Sequence, residues 1–213
     1  MTKIKFGTDG WRAIIAKEYT VDNVARVSIA VAKWLKQQNA NPSITIGHDC
    51  RFGGALFTEA AIKVFVSEGV KVYTTDKGFV STPMISLATR ELEASLGVVI
   101  TASHNPPSYN GYKLKGHFGG PLLPKEVSEI EAIIPDTNTV DLNSVSIKDA
   151  ENNGQIIYVD FEEMYVKQVE SVFDLDLIKN SGIGLAYDAM YGAGQKVAKR
   201  LLPDITFLHC DYN

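Results

Sequence analysis

Leu96-Gly97-Val98-Val99-Ile100-Thr101 is apolar at almost every position, the pattern of a strand covered on both faces and therefore central in a sheet packed between helices. Working back from it, Thr82 to Leu92 reads as a helix opened by a Thr-Pro pair, and Val70 to Thr74 as a β-branched and aromatic strand. Leu56 to Glu68 is a helical pattern closed by Gly69, and Ile44 to Gly47 is a short apolar run after Asn41-Pro42. Earlier still, Val24 to Lys36 repeats apolar residues at three- and four-residue spacing, with Val21, Asp22 and Asn23 supplying a cap. Helices and strands alternate, which predicts an α/β fold.

Working forward, the stretch from Asp136 to Asn153 is polar and without period, as a connection between domains would be. The expected division is a first domain over 1–135, a linker over 136–153 and a second unit from Gly154 onward. In that unit Phe161 to Val172 reads as a helix, Ile183 to Asp188 as a strand, and Ala193 to Leu202 as a helix ended by Pro203. One strand, one helix and the start of a second strand are too little to cover both faces of a sheet, so the second unit is expected to be an incomplete α/β layer that is truncated or covered by a partner.

Composition narrows the classes. The 213 residues are 45% hydrophobic and 22% charged, enough to bury a core. A net charge of -4 with no Lys/Arg run argues against a nucleic-acid partner and leaves a small anionic ligand open. No stretch of about 18 apolar residues suggests a membrane span, and Met1 to Trp11 lacks the apolar core of a signal peptide. Cys50 and Cys210 form neither a disulfide framework nor a zinc pattern, so a reduced, cytoplasmic setting is expected.

The buried strand runs directly into Ala102-Ser103-His104-Asn105-Pro106-Pro107-Ser108-Tyr109-Asn110-Gly111-Tyr112-Lys113. Ligands in open α/β sheets sit beyond the carboxyl ends of strands, which is where Ser103 falls. Two prolines stiffen the segment, and Asn110-Gly111 suits a tight turn that would return Lys113 toward Ser103. Spacing alone leaves two readings: a serine, an imidazole and an ammonium sharing one loop, or a turn-capping serine beside solvated polar residues. A Ser-His hydrolase is disfavoured, because Thr101 and Asn105 occupy the glycine positions of the Gly-x-Ser-x-Gly elbow. Two rivals stand beside the enzyme reading: a nucleotide-binding module at Gly192-Ala193-Gly194, where Val197 replaces the third glycine, and an assembly partner without chemistry.

Thr101 to Lys113 (TASHNPPSYNGYK) resembles the phosphoserine loop of the α-D-phosphohexomutases, and Lys5 to Arg12 (KFGTDGWR) resembles their opening segment. Ile46 to Arg51 and Ala186 to Gly194 are similar in character to the early strand of that family's first domain and the opening of its second, so the resemblance covers nearly the whole chain. The Trp-bearing opening and the GYKLKG run look closer to phosphoglucomutases and phosphomannomutases than to phosphoglucosamine mutases. The resemblance implies a layered α/β/α first domain with a mixed sheet. It also implies that Ser103 exchanges a phosphoryl group with a hexose phosphate through a bisphosphorylated sugar, with glucose 1,6-bisphosphate as activator.

Arg12 and Lys113 match the family's positions for gripping phosphoryl oxygens and exchanging a proton, His104 would contact substrate or orient the loop, and Arg51 fits a structural role first. Asp9 and Gly10 would shape the turn that presents Arg12. The family's Mg²⁺ is held by the phosphoserine, here Ser103, and by an Asp-x-Asp-x-Asp loop that this sequence lacks. Asp174-Leu175-Asp176 is its nearest imitation, with Ile178 where the third aspartate would be. Without that loop and the family's C-terminal domains, these residues alone are expected to be inactive.

Overall fold

The computed structural model describes residues 3–7 and 10–211. Its main sheet runs in the order β1 (Trp11–Ile14), β5 (Tyr109–Gly116), β4 (Leu96–Ile100), β2 (Ser43–His48), β3 (Lys71–Thr74), β6 (Ile156–Tyr158). The strands β4, β2, β3 and β6 are parallel, whereas β5 is antiparallel to β4 and β1 to β5, so the sheet is mixed as expected.

The alternation of side chains along the central strands assigns the two faces. Ile44 and Ile46 of β2 and Leu96, Val98 and Ile100 of β4 join one core with α1 (Val21–Gln38) and α2 (Gly54–Ser67), and α4 (Pro124–Ala132) packs on α1. On the other face Val99 packs with Met84, Ile85 and Ala88 of α3 (Thr82–Glu91) and with Phe161 and Val166 of α6 (Phe161–Val172). The layers are therefore α/β/α. Gly97 is needed where α3 crosses β4, since a Cβ there would lie 2.3 Å from Thr89 Oγ1, which itself bonds Thr45 Oγ1 at 2.6 Å. The residues expected as the cap of α1 are its first turn, and the cap is Thr20, one residue earlier, whose hydroxyl accepts from the Asn23 amide.

Two regions depart from the sequence reading. Polar residues expected as a linker contain α5 (Ile147–Asn152), and residues beyond Gly154, expected to open the second unit, supply β6 to the edge of the first sheet. The physical reason is that Ile156 is buried against the first core while the Gln155 carbonyl and the Tyr158 register extend the β3 ladder. The remaining elements are α7 (Leu175–Lys179), β7 (Ala186–Asp188), α8 (Gln195–Leu201) and β8 (Thr206–Leu208); β7 and β8 form a separate parallel pair. No helix among the described residues is long and apolar enough to cross a membrane.

Candidate active site

The chain order β2-α2-β3 moves outward along the sheet, and β3-α3-β4 then crosses back to the other side of β2. The carboxyl ends of β2 and β4 consequently diverge at a switch point, where α/β sheets hold their ligands. An open cleft of about 660 Å³ lies there, lined by Asp49 to Phe52 after β2, by Thr101, Ser103, His104 and Asn105 after β4, and by Met190 to Ala193 from the C-terminal unit.

Ser103 sits at the head of this cleft. Ala102 is fully buried beneath it, and the serine then takes φ +56°, a left-handed conformation that costs a non-glycine residue roughly 1 to 3 kcal/mol. Its amide donates to Thr101 Oγ1 at 3.0 Å, and Thr101 Oγ1 in turn donates to Asp49 Oδ2 at 2.5 Å. Asn105 N donates to Ala102 O, closing the turn. The hydroxyl is left pointing outward on an exposed residue, with His104 Nδ1 at 3.4 Å. A serine oxygen is a weak nucleophile, and a ring nitrogen beside it can exchange its proton.

Arg12 reaches the same loop from β1, where it lies opposite Gly111, and its Nη1 donates to Asn105 Oδ1 at 3.0 Å. Gly10 holds φ +101° and fits where a Cβ would be 2.6 Å from Tyr112 O, so the approach to Arg12 needs a glycine; Asp9 lies outside the described residues. Lys113 is placed differently from the sequence reading. It belongs to β5, opposite Val99 and 5% exposed, and it is not among the residues lining the cleft.

The reason is that Asn110-Gly111 forms strand, not turn. Asn110 is buried, with Nδ2 donating to Phe52 O, and a Cβ on Gly111 would meet Thr101 O at 2.5 Å and Trp11 O at 2.9 Å. This glycine is there to let β1, β5 and the end of β4 close together, and the chain reverses earlier, over Ala102 to Ser108.

Sequence reasoning missed Asp49, Thr101 and Asn105, whose roles depend on hydrogen bonds across the fold and not on any local motif. Cys50 also lines the cleft; burial first and the Asp49 charge second push its thiol up to about 11. Gln195 Nε2 touches its sulfur at 3.8 Å. The glycines proposed for a nucleotide are already engaged: Gly192 N donates to Ala189 O, and a Cβ on Gly194 would lie 2.1 Å from the Tyr187 hydroxyl.

The residues present do not fit a complete Mg²⁺ site. Among the described residues no three His, Cys, Asp or Glu side chains gather where they could hold a metal ion, and the carboxylate that lines the cleft, Asp49, is committed to Thr101 and Arg51. Asp174 instead caps α7 by accepting from Leu177 N.

The family model described as phosphoglucomutase/phosphomannomutase, alpha/beta/alpha domain I, matches residues 3–141. A phosphoglucosamine mutase of Clostridium acetobutylicum is 33% identical over 94% of this chain and 43% of its own length. A phosphoglucomutase of Staphylococcus haemolyticus is 30% identical over 97% of this chain and 38% of its own length. A crystal structure from Thermus thermophilus, described as a phosphomannomutase, superposes with a TM-score of 0.83 at 32% identity, over 97% of this chain and 45% of that one. Relatives of all three names match at similar identity, so identity does not separate the subfamilies, and the chain spans less than half the length of each relative. The match of the domain I model across 3–141, together with the serine loop at the switch point of an α/β/α sheet, makes this chain a member of the phosphoglucomutase/phosphomannomutase family.

Proposed function

We propose that this chain supplies the phosphoryl-carrying serine of a phosphohexomutase, which interconverts hexose 1-phosphate and 6-phosphate through a bisphosphorylated sugar. The observation that supports it best is Ser103 itself, strained into the left-handed region at the end of a buried strand with its hydroxyl exposed in the cleft. In the forward step the bond from Ser103 Oγ to phosphorus breaks as a sugar hydroxyl oxygen bonds to phosphorus. The hydroxyl proton leaves to a base and a proton returns to Oγ; transfer of the sugar's other phosphoryl group back to Oγ restores the starting state. His104 contacts Oγ, and Arg12 holds the loop through Asn105 while offering a planar cation to phosphoryl oxygens. Lys113 is the proton-exchanging group by family resemblance, and Lys113→Met tests whether it reaches the phosphoryl group from β5.

Of the family's metal ligands these residues would offer one, a phosphoryl oxygen carried on Ser103. The other Mg²⁺ ligands and the grip on the distal phosphate would come from C-terminal domains such as those the longer relatives carry. A cytoplasmic location is part of the same proposal, supported by two unpaired cysteines.

The test is intact-mass spectrometry with peptide mapping after incubation with glucose 1,6-bisphosphate and Mg²⁺. It compares this chain with a chimera that joins residues 1–213 to the remainder of the Staphylococcus haemolyticus phosphoglucomutase. We expect one phosphoryl group on Ser103 in the chimera, none in the chain alone, and none in Ser103→Ala. An unmodified Ser103 in both proteins would falsify the phosphoserine reading.

A further inference from the structure

We propose that Arg51 and Asp49 form a clamp that fixes the conformation of the serine loop, which makes Arg51 a positioning residue for phosphoryl transfer; that last clause rests on the function proposed above. The loop contains two prolines, which donate no amide hydrogen bonds, and its residues from Ser103 to Ser108 are mostly exposed. Four carbonyls of the reversal nonetheless bond a side chain, that of Arg51. Nη2 donates to Ser103 O at 2.8 Å and to Asn105 O at 2.5 Å, and Nη1 donates to Pro106 O at 2.9 Å and to Tyr109 O at 3.1 Å. One planar fork thus gathers four carbonyls across the whole reversal.

Asp49 holds that fork in place. Its Oδ2 faces Arg51 Nε at 3.6 Å, its Oδ1 accepts from the Arg51 amide at 2.9 Å, and both side chains are largely sheltered, at 16% and 14% exposure. The same carboxylate accepts from Thr101 Oγ1, which accepts the Ser103 amide. Ser103 is therefore fixed on both sides from one anchor: its N–H through Thr101 to Asp49, and its C=O through Arg51 to Asp49. With its donors committed to carbonyls and a carboxylate, Arg51 acts through the loop and not on the phosphoryl group. A lysine, a compact charge with three donors, cannot span the same four acceptors.

The experiment compares this chain with Arg51→Lys and Thr101→Val by NMR, reading Ser103 chemical shifts, which report the left-handed conformation, and amide hydrogen exchange along 99–109. Arg51→Lys is expected to move the Ser103 shifts away from the left-handed signature and to speed exchange at Ser103 and Asn105 about tenfold, with the amides of β4 still protected. Thr101→Val, nearly isosteric, is expected to speed exchange at Ser103 alone, and it decides the matter if Arg51→Lys fails to fold. Ser103 signals unchanged by a folded Arg51→Lys, or by Thr101→Val, overturn the clamp. In the chimera, Arg51→Lys should slow Ser103 phosphorylation about 100-fold while KM for glucose 1,6-bisphosphate changes less than about twofold. An undiminished rate, or a loss carried by KM, removes the positioning role. A chimera inactive without any substitution breaks the functional proposal and leaves the loop measurements to judge the clamp.

Discussion

In the six-stranded sheet β4 has a paired strand on each side and a helical layer on each face, and Leu96, Val98, Val99 and Ile100 are fully buried. In the C-terminal unit β7 and β8 pair only with each other, and Ile183, Leu177, Phe173 and Leu208 remain 70%, 70%, 58% and 47% exposed. The apolar content of the two regions is similar. What differs is the number of layers available to cover it, since a pair of parallel strands buries neither of its faces unaided. The joint between the regions is α6, which packs on α3 in the first and on α8 in the second.

The largest test of this contrast is a pair of truncations. Phe65→Ala, in the fully buried core between α1, α2 and the sheet, should cost about 3 to 5 kcal/mol in urea unfolding, and Leu177→Ala no more than about 0.5 kcal/mol. Similar losses at both sites would mean that Leu177 is covered in solution. Next, Cys50 lies where the regions meet, against Gln195, and its thiol is held at about 11, up from 9.0. Two pH units leave about 100-fold less thiolate near neutrality, so alkylation by iodoacetamide at pH 8 should be about that much slower than for a free cysteine. Ordinary reactivity would show that the two regions part readily.

A smaller effect is expected at Gly111→Ala. The added methyl meets two backbone oxygens and should cost about 2 kcal/mol, read as a lowered urea midpoint. The smallest concerns acid. Asp188 is depressed below its ordinary 3.8 first by the Met190 amide and then by His209, so its contribution is present above that value and lost as pH falls through the lower folded one. A lower protection factor at the Met190 amide below about pH 4, ahead of any change in β4, would confirm the sign; protection that holds steady through this range would refute it.

The sequence made the first sheet's core readable because burial there follows period. Leu96 to Ile100 and the α1 stripe can be recognised from hydrophobicity alone. Strand β5 could not: it carries Asn110, Gly111, Lys113 and Lys115, residues that argue for a turn or a surface, yet all are buried. Its identity comes from β1 and β4 on either side, contacts no window of local sequence contains. Strand β6 was hidden in the same way by the polar stretch before it. Motif likeness singled out Ser103 and His104, which line the cleft, and Arg12, which reaches the serine loop through Asn105, but the part played by Arg51 lies in carbonyls 52 to 58 residues away, and backbone oxygens leave no trace in residue types.

The position of β1 also bears on how the molecule is made. Trp11 pairs with Tyr112, and its indole stacks on Tyr19 at 4.7 Å, so β1, on emerging from a ribosome, has no partner strand until about a hundred further residues have followed. Contacts of such sequence separation form late, because the intervening chain must first be ordered. During synthesis β2, β3 and β4 can assemble while β1 waits, and Arg12, carried on it, joins the serine loop once β5 has followed. The nascent chain can therefore pair β2, β3 and β4 before Arg12 reaches the serine loop.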